Sequence, residues 1–405
     1  MASTPRLHLL SLPAEVRESV YRLILNPHAN RLLEPDEYTD YDYTDALVLF
    51  KINKQIYAEA RKVFRDLNIF VRIETPWPAA QDHVAAKGHT PILMKNARAM
   101  RFKGYSLNVT IDAPDSPLQD AETSYFVIHL DDLDKFTKTW FYADLSFGVN
   151  SALRLQLQLQ DPYTPSWDEK RMPKWLQQRL LQPFGMVKGC RDVIVTGDPK
   201  PYPSIVTEMR AEQALPYWTA EQCLNEATRL KLEGNEELKE GNYSAALKRY
   251  AEAWEAMHIV VKGRQRHIHA DDFFGKELRE DPFKGKNGQS ERLIIRVHLV
   301  ANTIWVYLKM ENWKEAAFWG MRSIRMLREA MVGADETAEM SAEDEAVPGF
   351  PAANQMGKIY YRTALAYKAM GDKAEARKLL RVSHIYLPND PKVQEELASC
   401  ALRIG

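Results

Sequence analysis

The chain is short of cysteine, of surplus charge and of long apolar runs. Its 405 residues hold three cysteines, Cys190, Cys223 and Cys400. Their wide spacing excludes a disulfide framework or a cysteine metal site and reads as ordinary thiols of a reducing compartment. Lys and Arg number 54 against 55 Asp and Glu, a formal net charge of −1. Such a balance draws the chain neither to nucleic acid nor to a membrane surface. No stretch nears the ~18 uninterrupted apolar residues of a membrane span. Residues 1–12 lack the apolar core of a secretory signal, so the cytoplasm, and also the nucleus, are the expected locations. Gly-rich phosphate loops, His-Glu-x-x-His and Gly-x-Ser-x-Gly are all missing. Neither an enzymatic activity nor a cofactor is expected.

What is present is 45% hydrophobic residues and 27% charged, enough for two or three domains with buried cores. The expected fold class is multidomain, α plus α/β. Residues 1–66 read as helical, with Val16, Val20, Leu23 and Ile24 at helical spacing after Pro13, and a second amphipathic run from Ala46 to Phe64. Residues 67–207 read as mixed α/β. Strands are expected over 67–73, 99–102, 106–111, 125–130 and 192–195, with helices over 131–141 and 175–184. The clearest strand is Leu153 to Leu159, a strict alternation of Leu with Arg or Gln. Residues 208–405 read as all-α. Two polar stretches, 263–290 and 332–353, interrupt them and are expected to be exposed loops. The second carries Asp335, Glu336, Glu339, Glu343, Asp344 and Glu345 without a single Lys or Arg.

One spacing recurs three times in this last region. The first copy has Gly234, Leu238, Gly241, Tyr243, Ala246, Tyr250 and Ala253. The second has Tyr307, Trp313 and Ala316. The third has Ala364, Tyr367, Gly371, Ala376 and Pro388. Small residues at Ala246, Ala316 and Ala376 would let two helices of a hairpin approach closely, with Tyr243, Tyr307 and Tyr367 filling the gaps between hairpins. Glu311 stands where a turn glycine is usual, and Gly320 at an aromatic position. Residues 391–404 would form a capping helix. The pattern resembles the tetratricopeptide repeat, a 34-residue helix pair. The insertions, and Leu387-Pro388-Asn389-Asp390 ahead of Val393-Gln394-Glu395-Glu396-Leu397, resemble the repeat domain of large immunophilins.

Lys231 and Asn235 lie four apart on the first helix of copy one. Asn302 lies on the first helix of copy two, and Lys358 and Arg362 lie four apart on that of copy three. If the first helices line one face, these cations and amides converge in one groove suited to carboxylates. The set resembles, position by position, the dicarboxylate clamp of chaperone-binding tetratricopeptide domains. That resemblance implies a ligand, the Glu-Glu-Val-Asp tail of cytosolic heat-shock protein 90 or 70, whose terminal Asp would be held at both carboxylates. It implies a non-enzymatic adaptor.

At the other end, Leu12-Pro13-Ala14-Glu15-Val16 and the helical stripe after it resemble the opening of an F-box. Residues 47–64, with Ile52-Asn53-Lys54-Gln55-Ile56, resemble its second half in F-box-like proteins of filamentous fungi. This implies the alternative function, a substrate-recognition subunit of a Skp-cullin ubiquitin ligase whose repeats bind substrate. Either way, the N-terminal region would hold a Skp-type subunit or a client. The plainer alternative is a helical hairpin packed on the middle region, with Leu12, Val16, Val20 and Ile24 as core. Three further clusters invite blander readings. His267, His269, Asp271 and Asp272 form a solvated loop rather than a metal site. Asp131, Asp132 and Asp134 open a helix, and Lys51, Lys54, Arg61 and Lys62 form a solvated face.

Overall fold

The computed structural model describes residues 9–32, 40–77, 79–115, 123–332, 346–347 and 349–400. The acidic stretch 335–345 lies outside them. The chain divides into two compact units, one of residues 1–217 with 262–267, the other of 218–261 and 268–405.

In the first unit the chain runs through α1 (Ala14–Leu25), a small hairpin of β1 (Arg31–Leu32) and β2 (Asp40–Tyr41), α2 (Leu49–Ile52) and α3 (Lys54–Leu67). The second amphipathic run is broken at Asn53, which is extended and whose side chain accepts from the Ile56 amide, capping α3. β3 (Phe70–Thr75), α4 (Ala80–Ala86), β4 (Met94–Lys95), α5 (Asn96–Arg101), β5 (Leu107–Asp112), β6 (Ser124–His129), α6 (Leu133–Phe147), β7 (Arg154–Gln160), α7 (Lys174–Leu181), β8 (Asp192–Asp198) and α8 (Pro203–Ala214) follow. Six strands make one mixed sheet in the order β4-β6-β3-β5-β7-β8. β3 pairs parallel with β5, and β7 parallel with β8, while β3–β6 and β5–β7 are antiparallel. Leu155, Leu157 and Leu159 point into a core shared with Phe136 of α6, Leu180 of α7 and Met209 of α8. The opposite face carries Arg72, Glu74, Asn108 and Thr110, hydrogen-bonded to one another.

Several expectations for this unit are corrected. Residues 99–102 are not a strand. They finish helix α5 and the turn after it, because a four-residue apolar run flanked by Arg carries too little β signal against helix-favouring Ala, Met and Arg. The helical residues 1–66 and the mixed region form a single unit. Asn68, 1% exposed, donates to the Leu25 carbonyl and accepts from the Tyr43 hydroxyl, tying α1 and the β2–α2 segment to the entry of β3. Asp131, Asp132 and Asp134 open α6 as expected, and Asp132 is in addition fully buried and accepts from Arg31, Lys135 and Tyr41. The boundary expected at 207/208 falls at 217/218. Ile205 and Met209 of α8 are buried in the sheet core, and the Tyr217 hydroxyl donates to Asp144 at 2.9 Å.

α1 also turns the other way from the plainer reading. Its core side is Arg17, Tyr21 and Leu25, with Arg17 paired to Glu59 of α3. Val16, Leu23 and Ile24 are exposed, at 44%, 73% and 37%. The buried pair of Tyr21 and Leu25 outweighs the Val stripe because Ile56, Ala60 and Val63 of α3 offer them a surface.

The second unit is almost wholly helical. α9 (Ala220–Glu240) and α10 (Tyr243–Ala256) form one antiparallel hairpin, α12 (Gly288–Lys309) and α13 (Trp313–Val332) a second, α14 (Ala353–Ala369) and α15 (Lys373–Tyr386) a third, and α16 (Pro391–Ser399) packs on the last. Between α10 and α12 lie a two-stranded hairpin, β9 (Ile259–Lys262) with β10 (Gln265–Ile268), and the short α11 (Asp271–Phe274). Ala246, Ala316 and Ala376 each show no exposed surface, as close helix approach requires. All three turns share one geometry. The amides of Asn242, Asn312 and Asp372 donate back to the carbonyls of Glu237, Tyr307 and Tyr367, across a residue of positive φ. That residue is Gly241, Glu311 or Gly371.

This frame realigns one set of repeat positions. Tyr243 begins α10 as Trp313 begins α13, whereas Tyr307 and Tyr367 stand near the ends of first helices, at the position Glu237 holds in the first hairpin. Gly320 is explained by contact: a side-chain carbon there would run into Thr363 of α14.

The stretch 263–290 is not an exposed loop. Phe274, Leu278 and Phe283 within it are buried. Arg292, fully buried, donates to the carbonyls of Met257 and His269 at 2.7 Å each and pairs with Asp271 at 3.0 Å. Its apolar residues are too irregularly spaced to show a period, while its charges dominate the sequence.

Glu311 adopts φ 56°, a left-handed conformation that costs a non-glycine residue about 1–2 kcal/mol. Glu311→Gly should therefore stabilise the second unit, by about 1 kcal/mol after the entropy of the unfolded glycine is counted. Urea unfolding followed by far-ultraviolet circular dichroism measures it.

Candidate peptide-binding groove

The first helices of the three hairpins, α9, α12 and α14, lie side by side. Successive packing of α9 on α12 and α12 on α14 brings the five candidate residues to one place. Asn302 Nδ2 of α12 donates to Asn235 Oδ1 of α9 at 2.7 Å. The Tyr250 hydroxyl of α10 donates to the same oxygen at 2.9 Å. With its oxygen held by two donors, Asn235 is fixed in orientation, and its Nδ2 has no partner among the described residues.

Arg362 of α14 reaches across to α12. It donates to the Ala301 carbonyl, and its guanidinium lies 5.1 Å from the Trp305 ring centroid. Burial pushes the Arg362 guanidinium down to about 10, against the opposing pull of Tyr250 and Tyr361. Burial also lowers the Lys231 ammonium. Lys358 and Lys231 act together on one further residue, His298 of α12, whose imidazole is lowered by burial and by both lysine charges. His298 Nδ1 bonds the Ile294 carbonyl at 2.8 Å.

Two chains of interaction therefore join the set. One runs Asn302–Asn235–Tyr250, with Arg362 close enough to act on Tyr250; the other is electrostatic, the charges of Lys231 and Lys358 both reaching His298. All five sequence candidates are half-buried, neither sealed in the core nor free in solvent. Among the described residues none of Lys231, Lys358 and Arg362 pairs with a carboxylate. This contrasts with the outer helix faces, where Arg229 and Arg249 are each paired to two glutamates. Three concentrated cations beside two oriented amides can hold an anion with more than one oxygen pair.

Sequence reasoning did not place Tyr250, His298 or Trp305 in the site. A signal existed for the last two. His298 lies four residues before Asn302 and Trp305 three after it, which puts all three on one helix face. Nothing in the sequence marked Tyr250 as more than a repeat aromatic.

The other clusters do less. Asp271 serves Arg292, and among the described residues no group of three or more His, Cys, Asp or Glu is arranged to hold a metal ion. Lys51, Lys54, Arg61 and Lys62 are exposed, with Arg61 over the Tyr57 ring. In the first unit a cavity of about 290 Å³ is lined almost wholly by apolar side chains, including Trp77, Phe136 and Trp140. A second, of about 300 Å³, opens at the ends of β3 and β5. Its charged groups are spent on neighbours: Glu74 on Arg72 and Thr110, Arg154 on Asp112 and Asp192.

Fold and groove together define a helix-hairpin repeat unit with a cationic, amide-lined face. No family model matches the chain, and no curated protein matches it. Among solved structures, the C-terminal TPR-containing domain of a Plasmodium falciparum FK506-binding protein is similar at 17% identity, over 45% of this chain and 91% of that one, with a TM-score of 0.28. A TM-score of that size is too low for the likeness to bear on the fold or the site.

The Tyr250 hydroxyl supports Asn235 from a buried position. Tyr250→Phe should cost about 1 kcal/mol in urea unfolding, the net worth of one such hydrogen bond, with helix content unchanged.

Proposed function

We propose that the protein is a non-enzymatic adaptor whose helical unit grips the acidic C-terminal end of a partner, of the Glu-Glu-Val-Asp type carried by cytosolic heat-shock protein 90 or 70. The observation that carries this reading is the group of three cations around two oriented amides, with no neutralising carboxylate among the described residues. A chain-terminal Asp carries two carboxylates a few ångströms apart, which matches a site with several separated cations. Arg362 offers a planar fork held against Trp305, and Lys231 and Lys358 offer point charges. Asn235 and Asn302 would fix the geometry of the oxygens. Half-burial strengthens each contact relative to a surface ion pair, because water screens it less. Binding by such a clamp makes and breaks no covalent bond.

A second reading rests on a separate observation in the first unit. Val16, Leu23 and Ile24 of α1 are exposed on one side, and Val48, Ile52 and Tyr57 are exposed in the adjoining helical segments. Single exposed apolar residues are ordinary, but a stripe of them on one helix is a docking signal. It favours an F-box-type role, in which this end joins a Skp-type subunit of a ubiquitin ligase.

Two measurements test these readings. Isothermal titration of the full chain with a Glu-Glu-Val-Asp peptide should show one-to-one binding, weakened about tenfold or more by C-terminal amidation, the loss of at least ~1.4 kcal/mol. Lys358→Glu should abolish it, and raised salt should weaken it. Equal binding of acid and amide would count against the clamp. For the second reading, a purified Skp-type subunit should be retained by the wild-type chain and released by Leu23→Asp, a change at an exposed position that leaves stability within about 0.5 kcal/mol. Retention by neither chain removes that reading and leaves the first intact.

A further inference from the structure

We infer that His298, four residues before Asn302 on the same face of α12, is a further ligand-binding residue of this site, taking a carboxylate on Nε2 and drawing in a proton as it does so. The inference rests on the peptide-binding reading above and adds to it a residue and a linked proton.

The geometry is specific about which nitrogen is engaged. Nδ1 is bonded to the Ile294 carbonyl, an acceptor, so Nδ1 carries a hydrogen. In the neutral ring Nε2 is then a bare lone pair. Among the described residues Nε2 has no partner, and it is not walled off from solvent. A lone pair repels a carboxylate oxygen. A carboxylate can approach Nε2 only if that nitrogen takes up a proton and becomes a donor.

The surroundings supply the coupling. The charged groups acting on His298 are Lys231 of α9 and Lys358 of α14, and both oppose its protonation; no carboxylate among the described residues acts on it. Its other influences are burial, which also opposes the charge, and the Ile294 carbonyl on its own helix, which favours it. The ring is therefore neutral in the free protein at neutral pH. An acidic chain end brings in two or three negative charges and reverses the field of the two lysines. The imidazole pKa then rises on binding. The sign follows: a group that binds its proton more tightly in the complex makes affinity increase as pH falls from above the bound value toward the free value. The peptide carboxylates ionise near 4 and do not titrate between pH 6 and 8.

The selectivity that follows is for ligands with an acid upstream of the terminal residue. The terminal carboxylates occupy Lys231, Asn235, Asn302, Lys358 and Arg362; the next acid meets His298. An acidic peptide tail supplies it, whereas a lone C-terminal carboxylate does not.

Titration calorimetry of the full chain with the Glu-Glu-Val-Asp peptide, run at pH 6.2 in buffers of different ionisation enthalpy, tests this. The expected result is net proton uptake, at most one proton per peptide bound, and affinity that is higher at pH 6.2 than at pH 8. His298→Gln should still bind, with proton uptake near zero and a flat profile. Replacing both glutamates of the peptide by Gln should also flatten it. Binding with no proton uptake by the wild-type chain overturns the role of His298 while leaving the clamp in place. Uptake that survives His298→Gln overturns the assignment to this residue. No binding at any pH overturns the clamp reading and this inference with it.

Discussion

Like charges brought together repel, and partial burial adds the loss of their hydration. The second unit holds Lys231, Lys358 and Arg362 together in spite of both costs. What offsets them is the packing of three hairpins through Ala246, Ala316 and Ala376, whose small side chains set the helix spacing. Arg362 is further tethered to the Ala301 carbonyl and the Trp305 ring, and Asn235 to Asn302 and Tyr250. These contacts hold Arg362 and Asn235 in place without a ligand, and preorganisation of that kind lowers the ordering cost of any binding. Burial, with the charges of Lys231 and Lys358, holds the His298 imidazole below its ordinary value.

The first unit solves a different problem. Its N-terminal helices and its sheet are joined by buried polar groups, Asn68 between Leu25 and Tyr43 and Asp132 among Arg31, Tyr41 and Lys135, while half-buried Glu59 ties α1 to α3 through Arg17 and Tyr21. Glu59 is held down to about 2, chiefly by its bonds from Arg17. Such groups are costly if any partner is missing, so they specify one arrangement of the N-terminal helices on the sheet. That arrangement points Tyr21 and Leu25 inward and leaves the Val16–Leu23 side of α1 exposed.

Much of this was legible along the chain wherever a period ran long enough. Leu153 to Leu159 alternates over seven residues and forms β7 with every Leu buried. The alanines of the three repeats mark the helix crossings. Short or irregular segments were not legible. Ala99 to Phe102 has too few residues to carry a period and became the end of a helix. In 263–290 the charges mask Phe274, Leu278 and Phe283, which join the apolar core built by the long helices of the second unit. Tyr243 was set against Tyr307 and Tyr367 by residue type, but helix ends show that its counterpart is Trp313. For the site, the five donors could be named from spacing. The bond from Tyr250 to Asn235, and the reach of two lysine charges to His298, could not.

The residue order by itself determined which side chains recur at helical and strand periods, where helices must pass closely, and which five polar residues share the first helices of the repeats. Local periodicity carries that information because it depends on neighbours only three or four positions away. Only the tertiary structure decided that α8 belongs with the sheet, that the α1 apolar stripe faces outward, and that Asn235 meets Asn302 across 67 residues of chain. Those outcomes turn on which of several apolar or polar surfaces finds a complementary one far away in sequence, and no local pattern encodes that choice.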